Sequence, residues 1–192
     1  PDLVICLDSG TGDYKRLWTT TSLRGLIGLK LRVDVLKEGV HSGGASGYVP
    51  SSFRIARQLL SRIENQETGE ILLDELKVKI PDFRMKETKK YVQVVGKELK
   101  KEFPWVSNMQ ASTDNDVEGV LRRTWRPTLS VVGGGGLPPS ENAGNVLRPY
   151  TELQLSIRIP PFVKQKKAQN AIKNVLLENP PYNSKISLVF DE

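Results

Sequence analysis

The sequence is short of the residues that build metal sites and disulfides. It contains one histidine, His41, and one cysteine, Cys6, in 192 residues. A disulfide framework needs paired cysteines, and a cysteine-based zinc site needs several such ligands, so both are excluded. A lone histidine also cannot form a metal site or a proton relay by itself.

Long apolar runs are missing too. No segment approaches the roughly 20 apolar residues that a membrane-spanning helix needs, and the first residues do not form a signal peptide. The lone cysteine gives no reason to expect an oxidising compartment. We therefore predict a soluble, cytoplasmic protein with no membrane partner. The chain begins without methionine in an apolar run typical of a buried strand, which predicts a piece of a longer protein.

Basic residues exceed acidic ones by 28 to 22, which gives a net charge of +6. Such an excess is compatible with nucleic-acid binding, but most of these side chains fall on the polar sides of helical patterns, where a solvated surface explains them better. RNA-binding sheets also carry aromatic residues on their open face. The outward positions of the two clearest strands, 28–34 and 152–158, contain none. We therefore expect no nucleic-acid partner.

Two segments alternate between apolar and polar residues, as half-buried antiparallel strands do. Their apolar positions are Ile27, Leu29, Leu31, Val33 and Val35, and then Leu153, Leu155, Ile157 and Ile159. Helical spacing follows Pro50 at Phe53, Ala56, Leu60 and Ile63, ending near Asn65, and recurs at Ala168, Ala171, Ile172, Val175 and Leu176. Shorter strands are predicted over 128–132 and 186–190. The order β-α-β-β-α-β predicts an α+β fold, a split βαβ (ferredoxin-like) four-stranded antiparallel sheet with two helices on one face.

Two further segments interrupt this order. Residues 85–103 have helical spacing and predict a helix within an insertion at about 66–122. Gly133–Gly136 is followed by two prolines rather than by Lys-Ser/Thr and a helix, so it fits no phosphate-binding fingerprint. We predict that the four glycines form a flexible loop.

Three polar residues could carry chemistry: Asp8, His41 and Arg158. Each has an ordinary explanation when it is considered alone, as a turn residue, a loop histidine and a solvated strand residue. Ser42 adjoins His41, but adjacent residues seldom converge on one proton, and no G-x-S-x-G context is present, so a serine triad is not supported.

Together these segments resemble a known family. Residues 8–60, with Asp8, Leu23-Arg24-Gly25 and His41-Ser42-Gly43, are similar to the start of the lid, or dimerisation, domain of the co-catalytic zinc exopeptidases. That family includes carnosinase, cytosolic nonspecific dipeptidase, glutamate carboxypeptidase, aminoacylase and acetylornithine deacetylase. Residues 124–136 and 145–161, which contain Ser-Ile-Arg, resemble the later strands of the same domain.

The resemblance implies a role for each matching residue. Asp8 would be a ligand of one of two metal ions. His41 would enter the active site of the partner subunit of a homodimer and stabilise the oxyanion of the scissile carbonyl. Arg158 would bind the terminal carboxylate of a peptide or acyl-amino-acid substrate, and Asn145 would help with the same group. Arginine's planar fork suits a carboxylate, and a carboxylate is a good zinc ligand.

The family's remaining metal ligands and its general-base glutamate have no counterpart in the sequence. We therefore expect residues 1–18 to be the end of a catalytic-domain strand and a hinge, and residues 19–192 to be the lid of a longer metallopeptidase that uses two zinc ions. The fragment alone is expected to be inactive and to bind no zinc tightly. Two alternatives remain: a non-catalytic protein-interaction module of the same fold and, with less support, an RNA-binding domain.

Overall fold

The structure is a computed structural model that describes residues 2, 4–6 and 10–191, the side chain of Lys97 excepted. The chain divides into two compact units. One, the sheet unit, consists of Gly25–Val78 and Arg126–Glu192, and the other, the helical unit, of Pro1–Arg24 and Lys79–Trp125. The predicted insertion at about 66–122 overlaps the second segment of the helical unit.

The chain forms strands and helices of ordinary length, together with the short strands β2 and β4 and the short helix α1. The strands are β1 (Gly25–Asp34), β2 (Val40–His41), β3 (Thr128–Gly135), β4 (Val146–Leu147), β5 (Tyr150–Ile159) and β6 (Lys185–Phe190). The helices are α1 (Ser42–Ala45), α2 (Ser52–Leu60), α3 (Asp82–Leu99), α4 (Asp116–Thr124) and α5 (Gln165–Leu177). No described helix is long and apolar enough to cross a membrane.

The main sheet has four strands in the order β3-β5-β1-β6, and every neighbouring pair is antiparallel. Helices α2 and α5 contact the strands and each other, and their apolar side chains share one core with the inward residues of β1 and β5. This arrangement confirms the predicted split βαβ fold. It leaves the opposite, open face of the sheet with polar side chains at alternate positions.

The buried face of α2 matches the predicted stripe except at Phe53. Ile55, Ala56 and Leu59 are fully buried, whereas Phe53 is 43% exposed. The helix begins after Ser51, whose hydroxyl caps it by accepting from the Arg54 N–H at 3.4 Å, and it ends at Leu60. Ala56 and Ile63 of the predicted stripe are fully buried and Leu60 packs against the core, so only Phe53 departs from the prediction. Because each residue rotates the helix by about 100°, Phe53 lies at the margin of the stripe that Ile55, Ala56 and Leu59 form.

The glycine segment was predicted as a loop, and this is wrong for most of it. Strand β3 continues through Gly135, and Gly133, Gly134 and Gly135 pair with residues of β5 after a bulge at Val132. The neighbouring strand supplies backbone partners, so sheet pairing overrides the low strand propensity of glycine. The chain turns only at Gly136, where φ is +82°.

The helical unit has a small core where α3 packs against α4. Val95, Leu121 and Trp125 are buried in this unit. The predicted helix over 85–103 is α3, followed by a 3-10 turn at Lys100–Glu102. Helix α4 was not predicted, although Asn115 caps it with its side-chain oxygen at 3.1 Å from the Glu118 N.

Candidate active-site arm

His41 ends strand β2 and caps the short helix α1. Its Nδ1 accepts a hydrogen bond from the backbone N–H of Gly43 at 3.1 Å, and the residue is exposed. A neutral imidazole that accepts at Nδ1 carries its proton at Nε2. In the neutral ring, this backbone contact therefore selects the tautomer in which Nε2 is the hydrogen-bond donor.

Gly43 leaves the space that the imidazole occupies. A Cβ at this position would lie 2.9 Å from Cε1 and 3.1 Å from Nδ1 of His41. A side chain at Gly44 would meet nothing within 4 Å. The position of the His41 ring therefore requires a glycine at residue 43, whereas it places no such demand on Gly44.

His41 and Asn145 lie side by side. Strand β2 pairs with β4, with Val40 opposite Leu147 and His41 opposite Val146. The ladder is extended by the Ser42 N–H, which donates to the carbonyl oxygen of Asn145 at 2.9 Å. We call residues 40–45 and 145–147 the His41 arm.

The His41 arm continues from the end of the main sheet where β1 ends and β5 begins. The N–H groups of Val35 and Leu36 both donate to the carbonyl oxygen of Pro149, at 2.9 and 3.2 Å. A second connection comes from Arg148, whose Nε donates to the carbonyl oxygen of Gly136 at 2.8 Å. The arm is thus linked to β1 and to the end of β3.

Arg158 lies at the other end of the main sheet. It is opposite Leu26 on β1 and Thr128 on β3, and its side chain is exposed on the open face. Its guanidinium has no ion-pair partner among the residues that the structure describes. Eight residue steps along β5 separate it from Tyr150, or about 26 Å at about 3.3 Å per step. Within one chain, the structure therefore brings His41 and Asn145 together but keeps Arg158 apart from them.

The open face near the His41 arm carries a charged cluster that sequence reasoning missed. The Arg32 guanidinium donates to the Asp34 carboxylate at 2.8 Å, lies 3.8 Å from Glu152 and stacks on the Tyr150 ring at 3.6 Å. The hydrogen bond to Asp34 raises the pKa of Arg32. The strand alternation already placed Arg32 and Glu152 on this face. The alignment of β1 with β5, which sets Arg32 opposite Glu152, is the signal that could have shown that they are neighbours.

Asp8, the predicted metal ligand, lies outside the described residues. Among residues 10–191 and the few described before them, no three histidine, cysteine, aspartate or glutamate side chains gather as metal ligands would. The described residues therefore do not fit a metal site of their own.

The family assignment follows from residues 21–183, which match the peptidase dimerisation domain family. The chain belongs to this family. The resemblance predicted from the segments around His41 and Arg158 is thereby confirmed. The dimerisation domain is 25% identical over 190 residues to the cysteinylglycine-S-conjugate dipeptidase of Corynebacterium striatum, covering 97% of this chain and 39% of that protein.

Solved structures share the fold of this dimerisation domain. The dipeptidase Dug1p of Saccharomyces cerevisiae superposes with a TM-score of 0.66 at 19% identity, covering 88% of this chain and 35% of that one. Human carnosine dipeptidase 1 superposes with a TM-score of 0.67 at 19% identity, covering 88% of this chain and 36% of that one. The M20 family metallo-carboxypeptidase Sso-CP2 of Sulfolobus solfataricus superposes with a TM-score of 0.70 at 18% identity, covering 86% of this chain and 37% of that one. The chain thus spans less than two-fifths of the length of these relatives.

Proposed function

We propose that this chain is the lid and dimerisation domain of a dizinc metallopeptidase that hydrolyses dipeptides or C-terminal or N-acyl amide bonds. Membership of the peptidase dimerisation family and similarity to a dipeptidase over 190 residues support this function. The single observation that carries it is the His41 arm, which presents His41 and Asn145 together at an exposed edge.

His41 would act as an oxyanion donor. Its Nδ1 is held by the Gly43 N–H, so Nε2 can donate to the oxygen that becomes negative when the scissile carbonyl is attacked. A preorganised donor of this kind is typically worth about 10²–10³ in turnover. The backbone contact means that the ring needs no reorientation at the moment of reaction.

Arg158 would bind the substrate carboxylate, since its guanidinium is exposed and a planar fork of N–H groups matches a carboxylate. Asn145 would donate to the same carboxylate. Because about 26 Å of β5 separates the Arg158 end of the sheet from the end that bears the His41 arm, the two groups would reach one substrate from different subunits. Each site would then combine Arg158 of one subunit with His41 and Asn145 of the other.

The zinc ions, two in the complete enzyme, would be held mainly by parts of the longer protein, with Asp8 as one ligand. When bound, such ions activate a water molecule and polarise the scissile carbonyl. The described residues contribute no such site, so their part is to place substrate and oxyanion donor. The 192-residue chain by itself should show no peptidase activity and no tight zinc binding.

Subunit pairing would use the edge strand β3. Its eight residues, Thr-Leu-Ser-Val-Val-Gly-Gly-Gly, include no charge and no proline, and Val131 and Val132 are 48% and 63% exposed. An uncharged exposed edge is a template for another strand. The opposite edge strand, β6, begins with Lys185, a residue type that opposes edge pairing. A second copy of β3 is therefore the proposed partner.

Complementation in the full-length dimer tests this function. His41→Ala and Arg158→Ala should each abolish most dipeptide hydrolysis. Subunits of the two variants, mixed equally and re-equilibrated, should recover about a quarter of wild-type activity, since half of the dimers are mixed and each has one intact site. No recovery would contradict action across subunits, and unchanged turnover in His41→Ala would favour the interaction-module alternative.

The RNA-binding alternative receives little support from the open face. Tyr150 lies at one end of this face, but its ring is covered by Arg32 at 3.6 Å and belongs to the charged cluster. Steeply salt-dependent binding of mixed single strands to the purified chain would revive that alternative.

A further inference from the structure

The position of the His41 arm depends on how its two strands leave the main sheet. Arg148 follows Leu147, which pairs with Val40 next to His41. The Arg148 residue is half-buried, and its Nε donates to the Gly136 carbonyl oxygen at 2.8 Å. This side chain therefore connects the base of the arm to the turn that follows β3.

The acceptor of this hydrogen bond, the Gly136 carbonyl oxygen, belongs to a tightly packed turn. Gly136 adopts φ +82°, and a Cβ at this position would lie 2.4 Å from the Tyr150 carbonyl oxygen and 3.0 Å from the Tyr150 ring. The ring is covered on one side by the Arg32 guanidinium. Such close packing around a backbone that only glycine adopts easily gives the carbonyl a defined place.

We propose that Arg148 is a positioning residue that sets the direction of the His41 arm and so places His41 and Asn145 for the partner's substrate. The inference rests on the proposed function, since it assigns Arg148 to the same site. Arg148 touches the Gly136 carbonyl and would not need to touch the substrate. It links the strand proposed for subunit pairing, β3, to the arm that serves the neighbouring site.

Loss of this hydrogen bond should affect turnover more than substrate binding. An oxyanion donor that is misplaced by about 1 Å can cost up to about 10²-fold in rate. We expect Arg148→Gln in the full-length dimer to lower kcat about 10-fold, while KM rises less than about 3-fold, because Arg158 is untouched and still binds the carboxylate that Asn145 would contact. A kcat within 2-fold of wild type would overturn the proposal.

The experiment uses a panel of dipeptides, and kinetics are measured on the one cleaved fastest. Arg54→Gln is the matched control, because Arg54 is exposed on α2 and its side chain makes no hydrogen bond or ion pair with any residue that the structure describes. Sedimentation should show that both variants remain dimers. A rise in KM with unchanged kcat in Arg148→Gln would also overturn the proposal, because it would indicate substrate binding instead.

Hydrogen exchange supplies a second readout that needs no activity. The Ser42 amide donates to Asn145 within the arm, so its exchange should quicken in Arg148→Gln and stay unchanged in Arg54→Gln. If the Ser42 amide exchanges at the same rate in Arg148→Gln and Arg54→Gln, the proposal that Arg148 positions the His41 arm is overturned. If His41→Ala leaves turnover intact while the Ser42 amide still responds to Arg148→Gln, the proposed function fails and the link between Arg148 and the arm stands.

Discussion

The backbone N–H of Ser42 donates to the carbonyl oxygen of Asn145 at 2.9 Å, and this contact joins two segments that are far apart in the sequence. It places Asn145 beside His41, which immediately precedes Ser42. Arg158 follows Asn145 more closely along the chain, yet it lies at the far end of β5. The grouping of the candidate residues is therefore set by strand pairing and not by sequence distance.

The fit between Gly43 and the His41 ring gives a prediction for the full-length peptidase proposed above. If His41 is the proposed oxyanion donor, Gly43→Ala should lower kcat by about 10-fold or more, because the new methyl group would displace the imidazole and a preorganised donor is worth about 10²–10³ in turnover. Gly44→Ala lies in the same short helix and meets no atom, so its kcat should stay within about 2-fold of wild type. Equal effects of the two substitutions on dipeptide turnover would contradict the role assigned to the ring position.

The exposed edge of β3 makes a second prediction, which concerns assembly. Val132→Lys should shift the protein from dimer to monomer in sedimentation experiments, since two copies of β3 would bring the new charges together. Val189→Lys on β6 is the matched control, because Val189 is 60% exposed compared with 63% for Val132. A dimer that withstands Val132→Lys but dissociates with Val189→Lys would assign the interface to the other edge.

Much of the fold could be predicted because alternation is a strong signal in its longest strands. β1 and β5 each bury every second residue, and their apolar positions match the observed core at Ile27, Leu29, Leu155 and Ile157. The β3 strand could not be predicted to its end, since the pairing of Gly133–Gly135 depends on β5 and not on the local residues. Helical spacing identified Ala56 and Ile63 as core residues of the segment around α2, but it could not show that Phe53, at the margin of the same stripe, is 43% exposed.

The candidate site, like the fold, could be predicted from the sequence only in part. His41 and Arg158 were candidates from the residues themselves, and the resemblance added Asn145 and gave each of the three a role. The sequence could not show that His41 pairs with a strand next to Asn145, because β2 and β4 are two residues long and carry no periodicity. It also gave no sign of Arg148, whose hydrogen bond to Gly136 exists only once the glycine segment is a strand and a turn.

An ion pair in the helical unit gives a prediction about pH. Arg123 donates two hydrogen bonds to the Glu102 carboxylate, at 2.7 and 2.8 Å, and these lower the pKa of Glu102. A lowered pKa in the folded state contributes stability that is full above the ordinary pKa and lost as pH falls through the lowered one. Both side chains are about half exposed, so Glu102→Gln should cost only about 0.5–1 kcal/mol at pH 7.

Urea unfolding at a series of pH values measures that difference. The gap between wild type and Glu102→Gln should shrink as the pH is lowered and vanish once Glu102 is protonated in both folded and unfolded chains. Glu98→Gln is the control, because Glu98 makes a single hydrogen bond with Lys101 at 3.1 Å in a more exposed setting. A gap for Glu102→Gln that grows on acidification would show that the pKa of Glu102 is raised.

The buried hydroxyl pair between Ser52 and Thr151 gives the last prediction. The two side-chain oxygens are 2.9 Å apart, and both residues are buried, so this hydrogen bond joins the start of α2 to the start of β5. Thr151→Val should lower the free energy of unfolding by about 1–3 kcal/mol, because it leaves the Ser52 hydroxyl without a partner in the core. Ser52→Ala should cost a similar amount. The double variant should cost less than the sum of the two, since no buried hydroxyl then remains unpaired. Additive losses in urea unfolding would show that the two hydroxyls do not depend on each other.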